Sequence, residues 1–230
     1  MPQKKFYRQR AHSNPLADHT FSDPICPDQM NWPALYPTYQ AEKGDCVQFL
    51  DIGCGYGGLL ITLAPLFPDT YIMGMEIRVK VSDYVKERIA ALRINNPGKY
   101  NNIAIVRTNA MKYLPNYFKK GQLKKLFFLY PDPHFKKTKH KQRILRHDIE
   151  YLLQLRGLVY TVTDVEEVHI WMKSHLNEHP LFEEVKLESL SHDAILKFLG
   201  DCTEEGQKVT RNDGKKFTAI FKRVQSSSMD

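Results

Sequence analysis

Five times between Cys46 and Leu176, an apolar run rich in β-branched and aromatic residues is followed by a segment of helical period. The pairs are CVQFLDIG with 59–66, TYIMGMEI with 79–94, NIAIVRT with 110–118, KKLFFLYP with 139–155 and GLVYTVTD with 165–176. Runs apolar on both faces must be covered on both faces, so five strand-then-helix units predict an α/β fold with a mostly parallel, doubly wound sheet. Two later runs, FEEVKLESL and KKFTAIFKRVQ, have no comparable helix between them and are expected to form an antiparallel edge pair. Residues 1–43, interrupted by Pro2, Pro15, Pro24, Pro27, Pro33 and Pro37, read as an irregular arm, 44–224 as one domain and 225–230 as a disordered tail. A hydrophobic content of 42% over 230 residues suffices for a single core without disulfide or metal staples.

In such a sheet, ligands bind at the carboxyl ends of the strands. The first strand ends in FLDIGCGYGG, where Gly53, Gly55 and Gly58 fit G-x-G-x-x-G between a strand and a helix. A tight turn without a ligand is the competing reading. Glu76 closes the next strand and is placed to accept from both hydroxyls of a ribose. Loop and acid suit a nicotinamide cofactor and S-adenosylmethionine alike. Asp51, two residues before Gly53, favours the second: it can meet a cationic amino-acid group but would repel a pyrophosphate. At the third strand end Asn109 and Ala110 could receive an adenine edge, and Asn109 is equally a good N-cap for the following helix.

The fourth strand end reads YPDPHFKKTKHK. Pro131 and Pro133 fix two φ angles around Asp132, which makes a stiff turn carrying one carboxylate at the mouth of the cleft. An Asp that merely bonds its own backbone is the bland alternative. Lys136, Lys137, Lys139, Lys141 and Arg143 follow; a solvated helix face is the ordinary meaning of such a run, but beside a cleft it suits a phosphate track. The formal net charge of +7 agrees with a polyanionic partner. Cys26, Cys46, Cys54 and Cys202 form no C-x-x-C and do not combine with His at zinc spacing, so reduced thiols, an intracellular setting and no metal are expected. No apolar run reaches membrane-spanning length, and MPQKKFYRQR carries no apolar core of a secretion signal, so the reading is of a soluble protein without a membrane partner.

DIGCGYGG, GMEIR, NAM and YPDPHFKKTKHK, in this order and spacing, together with RQRAHSNP and LVYTVTDV, resemble the tRNA (guanine-N7-)-methyltransferase family, and its eukaryotic catalytic subunits in particular. The resemblance implies a class I, Rossmann-like methyltransferase that uses S-adenosylmethionine to methylate N7 of a guanine in the variable region of tRNA. Carried over by motif, Gly53, Gly55, Glu76, Ile77, Arg78, Asn109, Ala110 and Leu129 would line the cofactor site, with Asp132 catalytic. The family's T-x-x-E falls in GDCTEEGQKV, where Thr203 with Glu204 or Glu205 would face the base or the cofactor, and Asp164 is a further candidate for the guanine edge. A WD-repeat β-propeller partner is implied, as is a nuclear location, with the cytoplasm as the alternative. One departure stands out: after Arg143 the family runs through a longer helix to a double glycine, whereas this chain has ILRHDIEYLLQLRG with Gly157 alone. Two rival functions remain at this stage, a nicotinamide-dependent oxidoreductase and a non-catalytic RNA-binding subunit of the same fold.

Overall fold

The computed structural model describes residues 1–10, 14, 21–133 and 149–225. A short helix, α1 (Trp32–Leu35), precedes a regular alternation: β1 (Val47–Ile52), α2 (Gly58–Leu66), β2 (Tyr71–Glu76), α3 (Val79–Asn95), β3 (Ile103–Arg107), α4 (Ala110–Tyr117) and β4 (Leu123–Leu129). Then come α5 (Ile149–Leu152), β5 (Leu153–Thr163), α6 (Glu166–Asn177), β6 (Phe182–Glu184), α7 (Leu196–Leu199), α8 (Glu204–Arg211) and β7 (Phe217–Arg223). The strands form one seven-stranded sheet in the order β3-β2-β1-β4-β5-β7-β6. β1 to β5 are parallel, and β7 runs antiparallel to both β5 and β6. The strand order reverses between β1 and β4, which opens a crevice at their carboxyl ends.

Both faces of the sheet are buried, as the continuous apolar runs require. Successive residues of a strand point to opposite faces, so Leu50, Ile52 and Phe128 join one core with Tyr36 and Phe118, while Phe49, Phe127 and Tyr160 join the other with Leu59 and Leu60. Tyr36, just past α1, is fully buried and donates its hydroxyl to the Ile72 carbonyl at 3.0 Å. Asp23 anchors the chain farther back, accepting from Thr108 at 2.5 Å and from Tyr117 at 2.6 Å. On the opposite side, Lys125 of β4 pairs with Asp193 at 2.7 Å, and the Tyr160 hydroxyl bonds both, which ties the approach to α7 against the sheet.

The structure corrects three readings of the sequence. Residues 153–155 are strand, not the end of a helix: β5 begins at Leu153, pairs with Leu123, and bulges before Leu158 meets Lys125, with Arg156 at φ +66° in the bulge. The only helical residues seen there, among those described, are α5's four. FEEVKLESL is strand only over Phe182–Glu184; a 3-10 turn, Leu187–Leu190, replaces the rest, and Leu187 is exposed. Between β6 and β7 there is a helix of eight residues, α8. The antiparallel pair stands, with β7 on the inner side and β6 at the edge.

At the other ends of the strands, the buried Asn102 amide donates to the carbonyls of Ala64, Phe67 and Thr70 at 3.0, 2.8 and 3.2 Å, closing the end of α2 that Pro65 leaves irregular. Asn102→Ala takes this donor from the Ala64 and Thr70 carbonyls, while the Phe67 carbonyl keeps the Thr70 amide, and should cost about 1–3 kcal/mol. Urea unfolding should show a lower midpoint at unchanged slope; an unshifted midpoint would mean that water replaces the amide without loss.

Candidate functional site

The turn out of β1 needs residues without a side-chain penalty at positive φ, and supplies them: Gly53, Gly55 and Gly57 lie at φ +73°, +52° and +76°. The amides of Gly53 and Cys54 both donate to the Met75 carbonyl, at 2.9 and 3.0 Å, which holds the loop to the end of β2. At Gly58 the requirement is space: a Cβ there would sit 2.1 Å from the Cys202 carbonyl oxygen. The start of α2 is therefore in backbone contact with the segment that leads into α8.

Glu76, 4% exposed at the end of β2, carries a saturated carboxylate. One oxygen accepts from the Arg78 amide and Nε, both at 3.0 Å; the other accepts from the Gly55 amide at 3.2 Å and the Arg78 guanidinium at 2.9 Å. Asp51, beside it on β1, is 1% exposed, and its Oδ2 has no hydrogen-bond partner among the described residues. Burial, and then the charge of Glu76, push the Asp51 carboxyl up to about 8. Burial also pushes up the thiols of Cys54 and Cys202, the second to about 12, so neither is a ready thiolate nucleophile.

After β4, Tyr130 adopts φ +51°, a conformation that a bulky residue keeps only when its surroundings hold it. Its amide donates to Val162 O at 2.7 Å and its hydroxyl to Gly200 O at 2.8 Å. The Pro131–Asp132–Pro133 turn is thereby fixed on one side to β5 and on the other to the approach to α8. Thr203 caps α8, accepting from the Gly206 amide at 3.0 Å. Glu204 pairs with Lys4 at 2.6 Å and Arg88 at 3.4 Å, whereas the more exposed Glu205 pairs with Lys208 at 2.9 Å.

These pieces enclose a cavity of about 430 Å³ at the carboxyl ends of β1, β4 and β5. Gly53, Gly55, Arg78, Leu129, Asp132, Asp164, Thr203, Glu204 and Glu205 all line it. Glu76 does not; its carboxylate lies behind Arg78. Ile77 is half-buried next to it, and Asn109 and Ala110 are buried at the head of α4, where the Asn109 side chain accepts from the Met111 amide at 3.0 Å as an N-cap. Sequence reasoning missed Tyr56, Tyr130 and Lys208 on the wall. Lys208 was within reach, since Thr203, acids at 204 and 205 and bases at 208 and 211 are a capped helix's charge pattern. Lys136, Lys137, Lys139, Lys141 and Arg143 lie outside the described residues. A larger cavity of about 660 Å³, lined by Asp45, Asp69 and Asn102 among others, opens at the amino ends of the strands, away from the glycine loop.

The residues present fit S-adenosylmethionine. Asp51, buried and with its Oδ2 unpartnered among the described residues, suits the cation of its amino-acid end, and glycines at positive φ leave room for close backbone approach. The sheet order with an antiparallel β7 beside β5 is that of a class I methyltransferase. An antibiotic-related methyltransferase of solved structure shares this fold, with TM-score 0.51 and 17% identity over 77% of this chain and 88% of that one. Residues 45–219 match the family described as "Putative methyltransferase". The tRNA (guanine-N(7)-)-methyltransferase of Danio rerio is 62% identical, over 98% of this chain and 97% of its own length. The tRNA (guanine-N(7)-)-methyltransferase B of Xenopus tropicalis has the same identity and coverage. The chain belongs to the tRNA (guanine-N7-)-methyltransferase family.

The raised Asp51 carboxyl has a signed consequence for stability. From the ordinary value of 3.8 up to about 8, the folded chain keeps a proton that the unfolded chain has lost, so stability falls as pH rises through that window. Asp51→Asn cannot ionise. Relative to wild type, the variant should gain up to about 1.4 kcal/mol per pH unit across the window, read by urea unfolding at several pH values. Parallel profiles for the two proteins would mean that Asp51 ionises normally.

Proposed function

We propose that this chain transfers a methyl group from S-adenosylmethionine to N7 of a guanine in the variable region of tRNA. The observation that carries this reading is the presence of Asp132 on the same cavity wall as Gly53, Gly55 and Arg78, in a chain of this family. Asp51 would take the cationic end of the cofactor, Glu76 its ribose and Asn109 with Ala110 the adenine edge, with Ile77, Arg78 and Leu129 as the remaining walls. Bound there, S-adenosylmethionine supplies an electrophilic methyl on a sulfonium. A pyrophosphate in its place would bring Asp51 no cation with which to ionise, which disfavours a nicotinamide cofactor.

Guanine N7 bears a lone pair and no proton, so the protein needs no general base. What it must provide is position and charge. Positive charge builds on the purine as N7 is alkylated, and a carboxylate held in place beforehand stabilises it. Asp132, on its proline-locked turn, is that carboxylate; it can also accept from the guanine N1–H and N2–H₂, an arrangement of donors that adenine lacks. Asp164, Thr203 and one of Glu204 and Glu205 complete the wall that the base would meet. Glu205, whose partner is an exposed lysine, is freer to turn inward than Glu204, which is held by two cations.

The lysines from Lys136 to Lys141 and Arg143 would track tRNA phosphates outside the cavity. A methyltransferase domain of residues 44–224 behind an arm of 1–43 is the organisation proposed, with a WD-repeat β-propeller partner and a nuclear location following from the family resemblance.

Methyl transfer from labelled S-adenosylmethionine to bulk tRNA, with the product mapped as 7-methylguanosine, tests the activity. Asp132→Asn keeps the shape and removes the charge, so turnover should fall on the order of 10²–10³ while cofactor binding persists. Wild-type turnover in the Asn variant would remove the electrostatic role. Lys136→Ala with Lys137→Ala should weaken tRNA binding and flatten its salt dependence by roughly one unit of slope per lost contact. An unaltered slope assigns the two lysines to solvent.

A further inference from the structure

The main cavity is rich in acids: Asp51, Asp132, Asp164, Glu204 and Glu205 line it, against two cations among the described residues, Arg78 and Lys208. A nucleotide that puts its base into such a site brings a phosphate to the mouth, and carboxylates repel that phosphate unless a cation receives it. Arg78 is committed. Its guanidinium holds Glu76 through Nε at 3.0 Å and a terminal nitrogen at 2.9 Å, and its side chain is 16% exposed. Lys208 is the contrary case. Its ammonium pairs with Glu205 at 2.9 Å, three residues earlier on α8, and the two side chains are 60% and 50% exposed. Water screens an ion pair this open, so another anion displaces its carboxylate at little cost.

The helix aims this pair. Gly206 and Val209 turn the buried side of α8 to the fold, which leaves Glu205, Lys208 and Arg211 exposed, each about one turn after the last in a single row. Arg211 forms no ion pair among the described residues. The row starts with an acid on the cavity wall and ends with an unpaired cation beyond it, a path along which a polyanion can leave the mouth. Glu204 has no such row; it faces two cations, Lys4 at 2.6 Å and Arg88 at 3.4 Å. The ionised form of Lys208 is favoured first by the bond and charge of Glu205 and then, after the opposing effect of burial, by the charge of Asp164, which lines the same cavity.

We propose that Lys208 is the receptor for an RNA phosphate at the mouth of the cavity, that it gives up Glu205 to bind it, and that Arg211 takes the next phosphate along the strand. This rests on the reading of the chain as a methyltransferase acting on guanine in tRNA. While no RNA is bound, Lys208 neutralises Glu205. Once a phosphate holds the ammonium, Glu205 is released to face the base, so the acid is available to a guanine that arrives on a polynucleotide. Free guanosine brings no phosphate and leaves the pair closed.

The test measures tRNA affinity against salt concentration, and steady-state turnover on tRNA, for full-length wild type, Lys208→Gln, Lys208→Arg, Arg211→Gln and Glu205→Gln. It adds the double variants that join Glu205→Gln to Lys208→Gln and to Arg211→Gln. Lys208→Gln and Arg211→Gln should each flatten the logarithmic salt dependence by about one unit of slope, and Lys208→Arg should keep it. Lys208→Gln should raise KM for tRNA with kcat retained, since Glu205 is already released. Glu205→Gln removes the competitor of the phosphate and should tighten tRNA binding by a few-fold. That gain should vanish in the Lys208→Gln background and persist in the Arg211→Gln background, where the changed side chain lies two turns from position 205. An unaltered slope in Lys208→Gln would leave Lys208 as a charge at the end of a capped helix and overturn the proposal. A gain from Glu205→Gln that is equal in both backgrounds would reflect only the loss of a negative charge near RNA, and would overturn the exchange. If wild type forms no 7-methylguanosine in tRNA, the underlying reading fails and takes the proposal with it. If wild type forms it and the Lys208 variants behave as wild type, that reading stands and this proposal alone falls.

Discussion

Two carboxylates buried side by side, Asp51 on β1 and Glu76 on β2, set the conditions for everything around the cavity. Isolated, each would carry a desolvation cost that a domain of ordinary stability could not absorb. The fold meets the cost differently for each. Glu76 receives two amides and a guanidinium, and Asp51 retains a proton beside it. Oδ2 of the protonated member has no partner among the described residues, and a cation from outside is what would let it ionise. An arrangement that is unfavourable when empty is therefore specific for a ligand with positive charge at one end.

The opposite wall comes from far along the chain and is held by contacts that leave little tolerance. Tyr130 reaches across to Gly200, and Gly206 admits that crossing because a Cβ on it would lie 2.9 Å from the Tyr130 hydroxyl and 2.1 Å from the Gly200 carbonyl oxygen. Gly58 makes a comparable approach to Cys202 from the other side. Glycine is required at both places for space, whatever its backbone angles. The turn bearing Asp132 and the capped start of α8 are thus fixed to one another within the fold, the preorganisation that the electrostatic role proposed for Asp132 would need.

The alternation of apolar runs with helical segments carried the parallel sheet, because burial on both faces leaves a compositional mark on every strand. It also brought several of the candidate residues to the rim of one cavity, since strand ends are where that architecture exposes side chains. What was not legible was decided by pairing. LQLRG, from Leu153, continues a helix-like spacing, and only its partnership with Leu123 on β4, through a bulge at Arg156, makes it strand. FEEVKLESL alternates well enough, but it faces one neighbour and leaves the sheet after three residues. Glu76 closes β2 after the glycine loop as expected, yet the sequence could not say that Arg78, two residues on, would lie across its carboxylate.

The position of β7 bears on how the chain is made. Every residue lining the main cavity precedes it, Lys208 being the last. β6 is synthesised earlier than β7 but touches the sheet only through it, so β5 must wait with an unpaired edge until residues 217–223 have left the ribosome. An exposed edge of that kind invites pairing with another chain. A nascent polypeptide stopped just short of Phe217 would carry the complete set of cavity residues on a sheet that is still open, and its hazard during synthesis would be aggregation, long before any question of catalysis arose.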